Sequence, residues 1–108
     1  MDETTRRQKL TIPEGRLRIV IDSDAKNEVD DQFAIAWALR SPERFQIEAV
    51  YAAPFSHTVF RHNIGDYDFL VQEDPKEGME QSYEEIRKIY QLLGENPDGK
   101  VFRGASGY

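Results

Sequence analysis

The 108-residue sequence contains no cysteine and only two histidines, His57 and His62. Without thiols there is no disulfide framework, no thiolate zinc site and no thiol nucleophile. Any metal must be held by oxygen or by those two imidazoles, and a hard cation is the natural expectation. A basic excess is also missing. Fourteen Lys and Arg against twenty Asp and Glu give a formal net charge of −6, with a pI near 4.9. The positive footprint required for binding a phosphate backbone is therefore absent, and no nucleic-acid partner is expected. Arg6, Arg7 and Lys9 form a basic cluster too small to change this. No apolar run approaches the roughly 20 residues of a membrane span, and Met1 to Lys9 lacks the apolar segment of a secretory signal. The expectation is a cytoplasmic protein with no membrane partner.

What is present suffices for one folded domain. Hydrophobic residues make up 39% and aromatic residues 11% of the chain, enough for a core. Residues 1–16 mix charges with Thr11, Pro13 and Gly15, show no sustained period, and read as a polar tail; the domain proper spans 17–108. Leu17, Ile19, Val20 and Ile21 form a β-branched run that ends at Asp22, which suits a buried strand of a parallel sheet. From Asp30, the run Asp-Asp-Gln-Phe-Ala-Ile-Ala-Trp-Ala-Leu predicts a helix packed hard against that sheet, stopped by Ser41-Pro42, with Trp37 in the core. Phe45 to Ala52 predicts a second strand closed by Pro54. Met79, Tyr83, Ile86, Ile89, Tyr90 and Leu93 recur at helical spacing, and Gly94 stands where a C-terminal cap belongs. Tyr83 and Tyr90 are expected in the core with their hydroxyls at its boundary.

Beyond the turn residues Asn96-Pro97-Asp98-Gly99, Val101 and Phe102 predict a third short strand. The order strand, helix, strand, helix, strand is that of an α/β fold: an open parallel sheet with right-handed βαβ crossovers. The connection from 54 to 78 is long for a compact domain, so it reads as a functional loop or one carrying a small element around Tyr67 to Val71. His57 and His62 fall within it and read as solvated loop residues. Gly104-Ala105-Ser106-Gly107 lacks the lysine and following helix of a phosphate loop.

The chemistry-bearing segment is Asp22-Ser23-Asp24-Ala25-Lys26-Asn27-Glu28-Val29-Asp30-Asp31, five carboxylates in ten residues. Ligands of open α/β sheets bind outside the carboxyl ends of strands, where Asp22 and Asp24 fall. Asp30 and Asp31 fall at a helix start, where the macrodipole favours negative charge. Converging carboxylates repel and raise one another's pKa unless a cation lies between them, so a calcium or magnesium ion is expected here. The plainer alternative has Asp30 capping a helix, Asp22 ending a strand, and the remaining charges solvated.

An EF-hand is excluded, because it needs Gly where Asn27 stands and a bidentate Glu where Phe33 stands. A haloacid-dehalogenase-type phosphatase also opens with a hydrophobic strand and Asp-x-Asp, its first aspartate the nucleophile, and stands as an alternative. The segment more closely resembles the N-terminal signature of the nucleoside hydrolase family, the inosine-uridine-preferring type and its relatives. There a hydrophobic strand runs into Asp-x-Asp, a short loop and an Asp-Asp pair opening an apolar helix. Asp22, Asp24, Asp30, Asp31 and Phe33-Ala34-Ile35-Ala36 stand in those places. Between the two pairs this chain has five residues beyond Asp24, Ala25 to Val29, where many members have three.

The resemblance implies a Rossmann-like nucleoside hydrolase fold, of which this chain would hold the first third, and hydrolysis of the N-glycosidic bond of ribonucleosides by a calcium-activated water. Asp24 would be both calcium ligand and catalytic base, Asp31 a second calcium ligand, and Asp30 a binder of ribose hydroxyls. Asp22 would orient the ligands from behind. The implied partner is a nucleoside or related riboside, and the chain is expected to be incomplete as a catalyst, acting as a homo-oligomer or lacking a C-terminal segment. A non-catalytic module that binds a divalent cation or associates with another subunit is the reading of a different class.

Overall fold

The structure is a computed structural model that describes residues 1–56 and 72–108. His57, His62 and the stretch from Tyr67 to Val71 lie outside the described residues. A short helix α1 (Glu3–Leu10) precedes strand β1 (Leu17–Ser23), helix α2 (Asp30–Leu39), strand β2 (Phe45–Ala52), helix α3 (Pro75–Leu92) and strand β3 (Val101–Arg103). The three strands form one parallel sheet in the order β1-β2-β3. Two consecutive βαβ units with the same sense of advance set both helices on one face, where α2 and α3 also pack against each other. The small α/β fold with an open parallel sheet expected from the sequence is thus observed.

The core lies between that face and the helices. Val50 and Ala52 of β2, Val101 of β3, Ile35 of α2, and Met79, Ile86, Ile89 and Tyr90 of α3 form one buried cluster, joined by Ala25 from the loop after β1. Fully burying an aliphatic side chain such as Ile86 contributes about 1.5–3 kcal/mol, and α3 supplies the largest share of such residues. Its ends are well specified. Asp74 caps the first turn by accepting from the Lys76 N–H at 3.0 Å, and Pro75 opens the helix. At the other end, Gly94 takes φ +74°. The Glu95 N–H donates to the Tyr90 carbonyl at 2.9 Å and the Gly94 N–H to that of Gln91 at 3.0 Å, a Schellman motif.

Register within β2 is offset by one residue. Ile19 pairs with Ile47 but Val20 with Ala49, which leaves Glu48 as the extra residue of a bulge. Past it, Val50 and Ala52 face the helices, while Tyr51 turns to the open face and stacks on Phe102 with ring centroids 5.4 Å apart. No helix among the described residues is long and apolar enough to cross a membrane.

Three sequence expectations are corrected. Trp37 is not core: it is 77% exposed, in line with Phe33 and Val29, which are also exposed. At 100° per residue these three fall on the side of α2 opposite Ile35 and Leu39, and the sheet can cover only one side of the helix. The Tyr90 hydroxyl is not at the boundary but buried, without a hydrogen-bond partner among the described residues, whereas Tyr83 lies under the guanidiniums of Arg103 and Arg87, 3.9 and 5.6 Å from its ring centre. The N-terminal segment contains a helix. Asp2 caps α1 through the Thr5 N–H, and Glu3 pairs with Arg6 and Arg7, yet no residue of it is buried. Local pairing at three- and four-residue spacing stabilises that turn without any core contact.

Two stability effects follow. A Cβ at Gly78 would stand 2.1 Å from the Phe55 carbonyl oxygen, and backbone cannot yield as a flexible side chain can. Gly78→Ala should destabilise by about 1–3 kcal/mol, read from urea unfolding. Tyr90→Phe removes a buried, unpaired hydroxyl and should raise stability by about 1–3 kcal/mol, read as a higher Tm. Burial, helped by the charge of Glu95, also raises the Tyr90 phenol pKa above its ordinary value. The folded state therefore holds that proton more tightly than the unfolded chain. Stability contributed by the neutral phenol is complete below about pH 10 and declines as pH climbs above it. Tyr90→Phe should flatten that alkaline decline.

Candidate functional site

The acidic segment lies where its strand and helix put it. Asp22 and Ser23 are the last residues of β1, Asp24 follows, and Asp30 and Asp31 form the first turn of α2. Alternation along β1 sends Ser23 inward, 5% exposed, and Asp22 outward onto the open face of the sheet. From the buried position, the Ser23 hydroxyl donates to Asp31 Oδ2 at 2.6 Å, tying the helix start to the strand end. A short hydrogen bond to a carboxylate is among the stronger kinds.

A turn shapes the loop itself. The Asn27 N–H donates to the Asp24 carbonyl at 2.7 Å, and Asn27 Nδ2 donates to Asp24 Oδ2 at 3.0 Å. Ala25 is completely buried in the core. The backbone N–H of Lys26 donates to the buried Ser82 hydroxyl of α3 at 3.2 Å, while Lys26 Nζ and Gln32 Nε2 reach Glu85 at 3.2 and 3.4 Å. One small apolar side chain and two polar links from Lys26 thus hold the loop on α3, with Gln32 of α2 adding a third to the same Glu85, and the aspartates are presented at the carboxyl end of the sheet.

The aspartates do not form a single group. Asp24 and Asp31 are partly buried and each accepts from a neighbour, whereas Asp22 and Asp30 are exposed. Asp30 is not the helix cap: the cap position is Val29, which makes no side-chain hydrogen bond. The carboxylate of Asp30 instead sits in the first turn, where the helix macrodipole favours it. Outward-facing Asp22 is separated by the plane of the sheet from the side on which Ser23 meets Asp31. Among the described residues no set of three or more carboxylates or imidazoles gathers closely enough to hold a metal ion. A surface depression of about 450 Å³ opens along α3, lined by Lys26, Gln81, Glu84, Glu85 and Lys88 among others, and none of the four aspartates lines it.

Ser23 and Asn27 are the working parts that pattern reading passes over. The sequence signal for each exists: Ser23 is the middle residue of Asp-x-Asp at a strand end, and Asn27 stands three residues after Asp24, the spacing at which side chains close local turns. No protein-family model matches the chain, and neither a curated protein nor a solved structure matches it.

Replacing Ser23 by Ala removes the donor to Asp31 while leaving the fold's apolar contacts in place. The loss of a hydrogen bond to a charged group should cost about 1.5–3 kcal/mol in urea unfolding. Ser23→Thr, which retains the hydroxyl, should recover part of it.

Proposed function

We propose that the acidic end of β1 is the ribose-facing part of a nucleoside hydrolase-like site, in a Rossmann-like nucleoside hydrolase fold. The observation that supports this reading most is local. A parallel strand ends in Asp-x-Asp, the next helix opens with Asp-Asp, and Ser23 ties the last of these carboxylates to the strand end at 2.6 Å. Cleavage of an N-ribosidic bond passes through an oxocarbenium-like sugar, which carboxylates stabilise and which a water then attacks. On this reading Asp24 accepts the proton of that water, Asp30 holds ribose hydroxyls from its exposed place in the first turn, and Asp31 is fixed by Ser23. Asp22 stands behind them on the strand.

The carboxylate chemistry of Asp24 and Asp31 suits calcium in type but not in number. Calcium takes six to eight oxygens, and the described residues gather no group of three acidic or imidazole ligands. They do not by themselves make up a calcium centre, so calcium binding is expected to be weak and hydrolysis by the 108-residue chain slow. A second reading, a non-catalytic loop that binds a cation or only braces the fold, draws on a specific observation: Asp24 and Asp31 already accept from Asn27 and Ser23.

Two measurements separate these readings. Ribose released from inosine or uridine by the purified chain, and abolished in Asp24→Ala, is the outcome expected of the first. Calcium should raise Tm by mass action, and Asp24→Ala or Asp31→Ala should remove that rise. A calcium shift without ribose release would favour the second reading. A shift unchanged in both variants would overturn the assignment of these aspartates as ligands, and phosphate release from a small ester would point instead to phosphatase chemistry.

A further inference from the structure

We propose that two copies of this chain join through β1, pairing antiparallel about Val20 so that two three-stranded sheets become one. The proposal is independent of the nucleoside reading and rests on the free edge of the sheet. Among the described residues β1 pairs with β2 alone. The Leu17 N–H donates to the Arg44 carbonyl and the Ser23 carbonyl accepts from the Ala53 N–H, both at 2.8 Å. The odd-numbered residues of β1 therefore turn their backbone groups toward β2. Arg18, Val20 and Asp22 turn theirs to the free edge.

A second copy related by a two-fold axis through Val20 meets that edge with the same three residues in reverse order. Val20 faces Val20, and Arg18 of each copy faces Asp22 of the other, so all three positions become hydrogen-bonded pairs of an antiparallel ladder. Directly opposed residues share a face, and here the opposed side chains are of opposite charge, twice over. Arg18 is already held against Glu48 at 2.8 Å, which leaves its guanidinium on the open face where the second copy's Asp22 arrives. On the helix-bearing face, half-buried Ile19 comes opposite half-buried Ile21 and extends the core across the axis.

Moving the register by two residues sets Val20 against Arg18 or against Asp22 and breaks both Arg18–Asp22 pairs, leaving the remaining charge opposite only Arg16 or Asp24, which lie beyond the ends of β1. Edge strands commonly carry charge to discourage pairing. In β1 the two signs are spaced so that the strand complements itself, which is the requirement of an isologous interface.

Sedimentation equilibrium on the 108-residue chain tests this. The wild type should show a concentration-dependent monomer–dimer equilibrium. Arg18→Asp and Asp22→Arg each place like charges opposite one another and should raise the dissociation constant about tenfold or more. An equimolar mixture of the two single variants should dimerise again, because one now carries two acidic and the other two basic residues on the edge. Should either single variant lose its circular-dichroism signature of folding, the swapped variant carrying both changes is the test, and it should self-associate like the wild type. A monomeric wild type, a dimer indifferent to either reversal, or a mixture that stays monomeric would overturn the proposal.

Discussion

The burial of one side of α3 is the constraint from which the rest of the structure follows. Its Met79, Ile86, Ile89 and Tyr90 close over Val50, Ala52 and Val101, and Ile35 of α2 closes against the same cluster. Among the described residues the sheet has no comparable cover on its other face, and the cohesion they give its three short strands comes from this single layer. Because α3 is capped at both ends, its length and position are fixed, and whatever is attached to it inherits that placement. The acidic loop is attached to it through Ala25, the Lys26 backbone and the Glu85 carboxylate. Anything the aspartates do is thus done at a place set by a helix more than fifty residues later in the chain.

Much of the fold was legible because it is written in periodicity. The β-branched run of β1, the three- and four-residue recurrence in α3 and the glycine at 94 each have one dominant structural solution. Where reading failed, a competing constraint had no local signature. Trp37 lies in a helix apolar on more sides than a one-sided sheet can cover, so composition could not say which residues would be left outside. Tyr90 is drawn in whole by its neighbours at the cost of its hydroxyl. Helix α1 has no apolar stripe; it forms on a cap and short-range ion pairs alone.

The candidate site shows the same division. That Asp22 and Asp24 would close a strand and Asp30 and Asp31 open a helix followed from the pattern, and the structure has them there. Which carboxylates could act together did not follow, because strand alternation decides it. Ser23, between two aspartates, points inward to Asp31, and the first aspartate is thereby turned to the far face. Coordination number is likewise invisible in a motif, since ligands are counted in space and not along the chain.

The bulge at Glu48 reaches further than its single residue. Side chains along a strand alternate strictly, so an inserted residue inverts every position beyond it. Read without the insertion, β2 would seat Ala49 and Tyr51 beneath the helices and turn Val50 and Ala52 to the open face. A phenol ring would then have to take the fully buried place of Ala52 opposite Ser23, where only a methyl group now stands. Glu48 thus works as a phase shifter, and the two halves of β2 obey opposite parity rules. Losing Glu48 would restore plain alternation with Ile47, Val50 and Ala52 still on the helix side, because Val20 already pairs with Ala49. Gaining one more residue beside it would leave every backbone bond available while turning half of the strand inside out.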